Sequence, residues 1–229
     1  MSVEIRRASG RFVERSTGRL SHHGFSFGDH YDPDRVSFGP MVCHDDHLLG
    51  RGVGFDEHPH QGLEIVTWVV SGSVEHRDST GASATLGAGE CGLLSAGSGV
   101  RHSEVASGDG PARFVQVWLS PETPGREPSY ASTPVAAEPA AGLVPVAGPG
   151  APLPVDVRGA GFSVARLGAG EAVSLPDGGR VHVFVTTGAL LRFSLAEPLS
   201  AGDALLMSDE AAHTVTAAVP TELLVWSFS

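Results

Sequence analysis

An all-β protein made of two β-barrels in tandem is the fold class this sequence predicts, and three observations predict it. Apolar or alternating runs of about five residues recur, with turn residues roughly every ten. Long helical periodicity does not occur. The 30 glycines supply the tight turns and bulges that such a fold needs. With 229 residues, 41% of them hydrophobic, the chain can bury one large core or two small ones.

Taken in order, the first twenty residues carry Arg6, Arg7, Arg11, Arg15 and Arg19 without an apolar core. They predict a solvated edge strand and loop rather than a secretory signal. The stretches around His58 to Glu64 and His102 to Glu104 predict strands. Between them, Val66-Thr67-Trp68-Val69-Val70 is broken by Ser71-Gly72-Ser73. Val74 to Asp78 alternates and ends in the turn Ser79-Thr80-Gly81. Ala84-Thr85-Leu86 and Cys91 to Ser95 follow, and Phe114 to Leu119 closes the series.

From Pro121 to Pro154 the composition shifts: nine of the sixteen prolines fall there, with many alanines. This predicts a meandering surface crossing without packed elements. The strand pattern then resumes at Phe162 to Leu167, Val181 to Thr186, Leu190 to Phe193, Ala204 to Met207, Thr214 to Thr216 and Leu223 to Phe228. The halves echo each other. Gly89-Glu90, Leu93-Leu94-Ser95 and His102 in the first correspond to Gly202-Asp203, Leu205-Leu206-Met207-Ser208 and His213 in the second, a pattern of duplication. The expected division is a metal-binding barrel over residues 1–125, a proline-rich crossing over 126–154, and a second barrel over 155–229. The second barrel is expected to hold no metal, because Val183 and Phe184 follow His182 and Val215 stands two residues after His213.

The chemistry is concentrated in His58-Pro59-His60 and His102-Ser103-Glu104. Residues i and i+2 of a strand share a face. If the two strands meet inside a barrel, His58, His60, His102 and Glu104 converge, and three imidazoles with one carboxylate make a site for Fe, Mn, Ni, Cu or Zn. No cysteine joins the set, which argues against a structural zinc–thiolate site. Open coordination positions would admit water, O2 or a chelating substrate. Pro59, pointing away, fits an edge or bulged strand, and Gly62 suggests close backbone approach. Glu104 has two candidate roles, ligand and catalytic proton acceptor. Glu64 shares the face of His60 in an extended strand and is a candidate reserve ligand or imidazole partner.

Other polar residues carry weaker signals. His76 and Asp78 are expected to shape a hairpin end. His22, His23, His30, His44 and His47 are expected on the surface or in loops, with His44-Asp45-Asp46-His47 at most an adventitious metal site. Gly50-Arg51-Gly52-Val53-Gly54 lacks the βαβ setting of a nucleotide loop, and no G-x-S-x-G elbow supports a serine hydrolase.

Charge and composition exclude several classes. The formal charge of −11 disfavours direct nucleic-acid binding. All 15 basic residues are arginine, and asparagine is absent too. That excludes Schiff-base lysine chemistry, the P-loop lysine and N-linked glycosylation. Two unrelated cysteines, Cys43 and Cys91, fit a reduced cytoplasmic protein. No apolar run approaches bilayer-spanning length, so no membrane association is expected. A monomer is expected.

One known family shares these features. Phe25-Ser26-Phe27, Tyr31-Asp32-Pro33, Phe38-Gly39, Asp45-Asp46, Gly54-Phe55, His58-Pro59-His60, Glu64, Gly72, His76, Asp78-Ser79, Gly81, Ala96-Gly97, Gly99 and His102-Ser103-Glu104 resemble the pirin family of the cupin superfamily over roughly the first 120 residues. The resemblance implies a bicupin with one divalent metal, first of all Fe(II), held by His58, His60, His102 and Glu104 in the N-terminal barrel. It also implies an activity of the quercetin 2,3-dioxygenase type. In that reaction O2 opens the ring of a hydroxylated aromatic substrate, and Glu104 accepts the hydroxyl proton. The pocket is expected to be apolar, with Trp68 or phenylalanines excluding water. The alternative implied by other family members is a non-enzymatic, iron-dependent redox sensor acting on a protein partner. Gly92 and Leu94 depart from the residues many relatives carry, and Gly92 is expected to open space near the barrel interior.

Overall fold

The structure, a computed structural model, describes residues 2–108, 110–135 and 142–229. Strands dominate, and the helical elements among the described residues are two 3-10 turns, Ala8–Gly10 and Pro33–Arg35. The first strands are β1 (Ser2–Arg6), β2 (Phe12–Ser16), β3 (Arg19–His23), β4 (Met41–Leu49), β5 (Gly54–His60), β6 (Glu64–Ser71) and β7 (Ser73–Asp78). Next come β8 (Ser83–Gly87), β9 (Glu90–Ser95), β10 (Val100–Ala106), β11 (Ala112–Leu119), β12 (Ser129–Pro134), β13 (Val144–Ala147) and β14 (Ala160–Leu167). The last are β15 (Ala172–Ser174), β16 (Arg180–Thr187), β17 (Ala189–Leu190), β18 (Leu199–Ser200), β19 (Ala204–Ser208), β20 (Thr214–Thr216) and β21 (Thr221–Phe228).

The chain divides into two compact units, one of residues 12–135 with 155–157, the other of residues 1–11, 136–154 and 158–229. In the first unit a seven-stranded sheet, β12-β9-β6-β11-β4-β3-β2, is joined by a four-stranded sheet, β5-β10-β7-β8. Val69 and Phe114 of the larger sheet share an apolar cluster with Val74, Leu86 and Ala106 of the smaller one. Packing between the inner faces of two sheets makes such a core. The smaller sheet carries the candidate ligands.

β5 is an edge strand, which is where Pro59, lacking an N–H, is tolerated. His58 pairs with His102, but Glu104 pairs with Phe55, so β5 holds one extra residue between the two pairs. This is a β-bulge, a device that re-aims side chains. Gly54 lets the two strands approach: a Cβ there would lie 2.0 Å from the Glu104 carbonyl oxygen. Gly62 has a different role from the one expected. A Cβ on it would meet only Pro124, at 3.9 Å, and what requires glycine is its φ of +61°, where the chain turns out of β5.

The second unit is built on a six-stranded sheet, β1-β19-β16-β21-β14-β13, with two-stranded ribbons β15-β20 and β17-β18. Val183, Val185, Leu205, Leu223 and Val225 lie in its core.

The structure departs from the sequence expectation at three places. β1 does not group with the N-terminal barrel as the 1–125 division assumed. It pairs with β19 along its whole length, and Val3 and Ile5 pack against the second unit's core. The crossing is not free of packed elements either. β12 pairs with β9 from Ser129↔Ser95 to Pro134↔Glu90, and β13 pairs with β14. Both are sheet edges, so their prolines cost few ladder bonds. Residues 136–141 of the expected crossing lie outside the described residues. The strand expected over Leu190 to Phe193 is shorter, Ala189–Leu190. Cys43 and Cys91 are both free and buried, and no helix among the described residues is long and apolar enough to cross a membrane.

Candidate metal centre

Strand alternation on β10 turns His102 and Glu104 inward, where they are 1% and 4% exposed. On β5 the same alternation brings His58 and His60 to them. The His102 ring centroid lies 4.5 Å from that of His58 and 5.0 Å from that of His60, and His58 and His60 are 4.8 Å apart. One ring nitrogen from each of the three lies within 4.8 Å of the others. Glu104 enters a second, overlapping group, with His102 and His76.

The donor set fits a transition metal on its own chemistry. His60 Nε2 and both ring nitrogens of His102 are buried without a hydrogen-bond partner, a costly state unless something is bound there. Burial, reinforced by the neighbouring imidazoles, pushes His60 down to about 4. Burial pushes His102 down to about 4 as well, with His58 and His76 adding to the effect and Glu104 opposing it. Both rings are therefore neutral near pH 7, the protonation state a metal requires. The bulge supplies orientation: His58 Nδ1–H donates to the Asp56 carbonyl at 2.7 Å, which leaves Nε2 as the ring nitrogen with a lone pair to offer.

These directions set a pH dependence for the metal-free protein. Between pH 6.5 and about 4 the unfolded chain takes up protons that folded His60 and His102 refuse. Stability therefore rises with pH across that window and falls as the pH drops through it. Thermal melts of the metal-free protein are expected to show Tm decreasing from pH 6.5 toward 4. A His60→Phe, His102→Phe double variant is expected to give a flatter profile. Equal slopes would contradict neutral buried imidazoles.

Glu104 is held by groups that sequence reasoning missed. Thr67 Oγ1 donates to Oε1 at 3.0 Å, and Gln116 Nε2 donates to Oε2 at 2.6 Å. Trp118 Nε1 donates to Gln116 Oε1 at 2.8 Å, which fixes the amide orientation. The available signal was a polar residue flanked by apolar ones on the same face of its strand, Thr67 between Ile65 and Val69 in β6 and Gln116 between Phe114 and Trp118 in β11.

Several expected residues take other places. Glu64 is no reserve ligand: it begins β6 after the Gly62 turn, and its Oε2 accepts from Ser95 Oγ and from the Asp156 backbone. Asp78 does shape the hairpin end, accepting from Thr80 N, Thr80 Oγ1 and Ala82 N on Oδ1. His76, however, is buried beside the candidate ligands, its ring 5.4 Å from that of His102, with Nε2 donating to Asp78 Oδ2. His23, His44 and His47 are buried rather than in loops, because β3 and β4 pair within the sheet. Gly92 does not open space: a Cβ there would meet the Tyr130 hydroxyl at 2.6 Å, and the Tyr130 ring stacks on His76 at 3.9 Å.

A cavity of about 230 Å³ lies against this centre, with His58 and Glu104 in its wall. Trp118, Phe55 and Phe27 line it, whereas Trp68 does not. Thr67 faces Glu104, so its neighbour Trp68 points to the other face of β6. The remaining wall includes Ser21, His23, Asp45 and His47, so the pocket is more polar than expected.

The chain as a whole has known counterparts. Residues 3–119 match the family model described as Pirin. The chain belongs to the pirin family. A Mycobacterium bovis protein provisionally named a quercetin 2,3-dioxygenase is 41% identical, over 98% of this chain and 94% of its own. A pirin-like protein of Caulobacter vibrioides is 31% identical over 90% of each chain. Among solved structures, the bacterial pirin YhhW of Escherichia coli in complex with nickel(II) superposes with a TM-score of 0.90 and 30% identity over 99% of both chains. The all-β bicupin fold expected from the sequence is thus that of the bacterial pirins.

Proposed function

We propose that this pirin is a metal-dependent dioxygenase of the quercetin 2,3-dioxygenase type, acting with O2 on a hydroxylated aromatic substrate. The observation that carries the reading is the convergence of three imidazoles, with His60 Nε2 and both His102 nitrogens left without a hydrogen-bond partner, beside a buried, anchored carboxylate, where His58 and Glu104 line a cavity. His58, His60 and His102, with Glu104 as the fourth member, would hold the metal. The all-nitrogen-and-oxygen set suits Fe(II) first, with Mn, Ni, Cu and Zn as compatible occupants. Names among the relatives support the class of reaction.

When bound, such a metal supplies Lewis acidity toward a hydroxyl oxygen and redox access to O2. The protein's own groups do the rest. Phe55 and Trp118 offer flat apolar walls to an aromatic ring. Thr67 and Gln116 hold Glu104 as a fixed acceptor aimed from the cavity wall, ready to take the proton of a substrate hydroxyl. Removing that proton raises the electron density of the ring that O2 must attack.

The test is O2 uptake by Fe(II)-reconstituted protein with quercetin. Stoichiometric consumption accompanied by loss of the flavonol absorbance is expected. Metal-loaded protein that leaves quercetin intact under O2 would overturn the enzymatic reading and favour the redox-sensor alternative.

A further inference from the structure

We infer that the cavity contains a second polar subsite, His23 with Asp45, which selects substrates bearing a neutral hydroxyl group on the ring remote from the metal-binding end. The inference deepens the proposed function and rests on it.

His23 and Asp45 face each other across β3 and β4, joined by a 2.7 Å hydrogen bond from His23 Nδ1 to Asp45 Oδ2. They are 2% and 3% exposed, and both line the cavity that also holds His58 and Glu104. Each keeps one buried polar atom without a hydrogen-bond partner, Nε2 on His23 and Oδ1 on Asp45. The nearest claimants do not satisfy them. Glu14 Oε2 stands 3.7 Å from His23 Nε2, an ion-pair separation longer than a hydrogen bond, and Glu14 is itself held by Arg19 through its other oxygen. The buried Cys43 thiol also interacts with Asp45, which with burial keeps it protonated. A thiol is a weak donor, and no bond of ordinary geometry reaches Oδ1.

Two unsatisfied polar atoms in the wall of a cavity are costly to leave dry. A substrate that pairs with them gains what a substrate lacking the matching group loses. The polarity of the wall defines that group. Asp45 Oδ1 requires a donor. A hydroxyl supplies one, and a carboxylate does not. Phe27, stacked on His23 at 5.0 Å and edge-on to Trp118 at 5.6 Å, places an aromatic surface beside the subsite for the ring that carries the hydroxyl.

The test compares galangin with quercetin, which differs by two adjacent hydroxyls on its second ring. Binding to metal-loaded protein is followed without O2 by quenching of tryptophan fluorescence. Quercetin is expected to bind at least about tenfold more tightly. In Asp45→Asn the amide keeps its oxygen toward His23 Nδ1–H and so presents NH2 where the acceptor stood. The quercetin advantage is expected to fall to about twofold or less, with galangin affinity, metal content and Tm held. Should that variant fail to fold, His23→Gln is expected to lose the same advantage. Equal binding of the two flavonols by the native protein, or an advantage that survives in a folded variant, would overturn the subsite while leaving the proposed reaction standing. An advantage kept by both variants would assign the wall atoms to water. Binding of neither flavonol would defeat the proposed function itself, and the subsite with it.

Discussion

Replacing His102 with alanine is expected to abolish stable metal binding. His102 is the one residue common to both groups of candidate ligands, and it is buried, neutral and unpartnered on both ring nitrogens. Its ring lies within 5.4 Å of those of His58, His60 and His76. Losing an outer partner of a ligand typically weakens metal affinity roughly 10–100-fold, and loss of a ligand in the middle of the cluster is expected to exceed that. Elemental analysis after Fe(II) reconstitution and dialysis should give less than about a tenth of the native metal content, and flavonol-dependent O2 uptake should disappear with it. Native metal content in His102→Ala would show that the ion sits elsewhere.

Glu104→Gln is expected to separate two roles that the geometry allows Glu104 to combine. The amide is nearly isosteric, so Thr67 and Gln116 lose little packing, and three imidazoles still face one another. What disappears is the basic oxygen. A positioned general base contributes roughly 10²–10⁴-fold to rate, so kcat for O2 uptake with quercetin is expected to fall by that range while most of the metal is retained. A parallel loss of metal and activity would make Glu104 chiefly a ligand. Full activity would remove it from proton transfer altogether.

How much of this was legible in the sequence depended on the range of the interactions. The i,i+2 spacing of His58 with His60 and of His102 with Glu104 is local, and strand alternation alone places each pair on one face. Their meeting needed only the β5–β10 pairing. Thr67 and Gln116 stand out as polar residues in apolar runs, but their hold on Glu104 was not legible, because they come from β6 and β11 and reach it across the barrel. The polar stretch from His44 to His47 suggested a loop because its partners lie some twenty residues earlier, in β3, where Ser21 opposes His47 and His23 opposes Asp45. Cross-strand partners of this kind turn an exposed-looking pattern into a buried one. The proline-rich crossing misled for a related reason. Composition marked its prolines correctly, but Ser129 to Thr133 still form an edge strand that delivers Tyr130 to Gly92 and His76. Finally, β1 joins a sheet whose other strands lie beyond residue 143, a pairing no local pattern announces.

The central claim is that His58, His60 and His102 together hold one metal ion. X-ray absorption at the iron edge of Fe(II)-reconstituted protein tests it most directly. The expected spectrum shows nitrogen and oxygen neighbours only, with the outer-shell scattering of about three imidazoles. A sulfur neighbour, or scattering from fewer than about two imidazoles, would contradict the site.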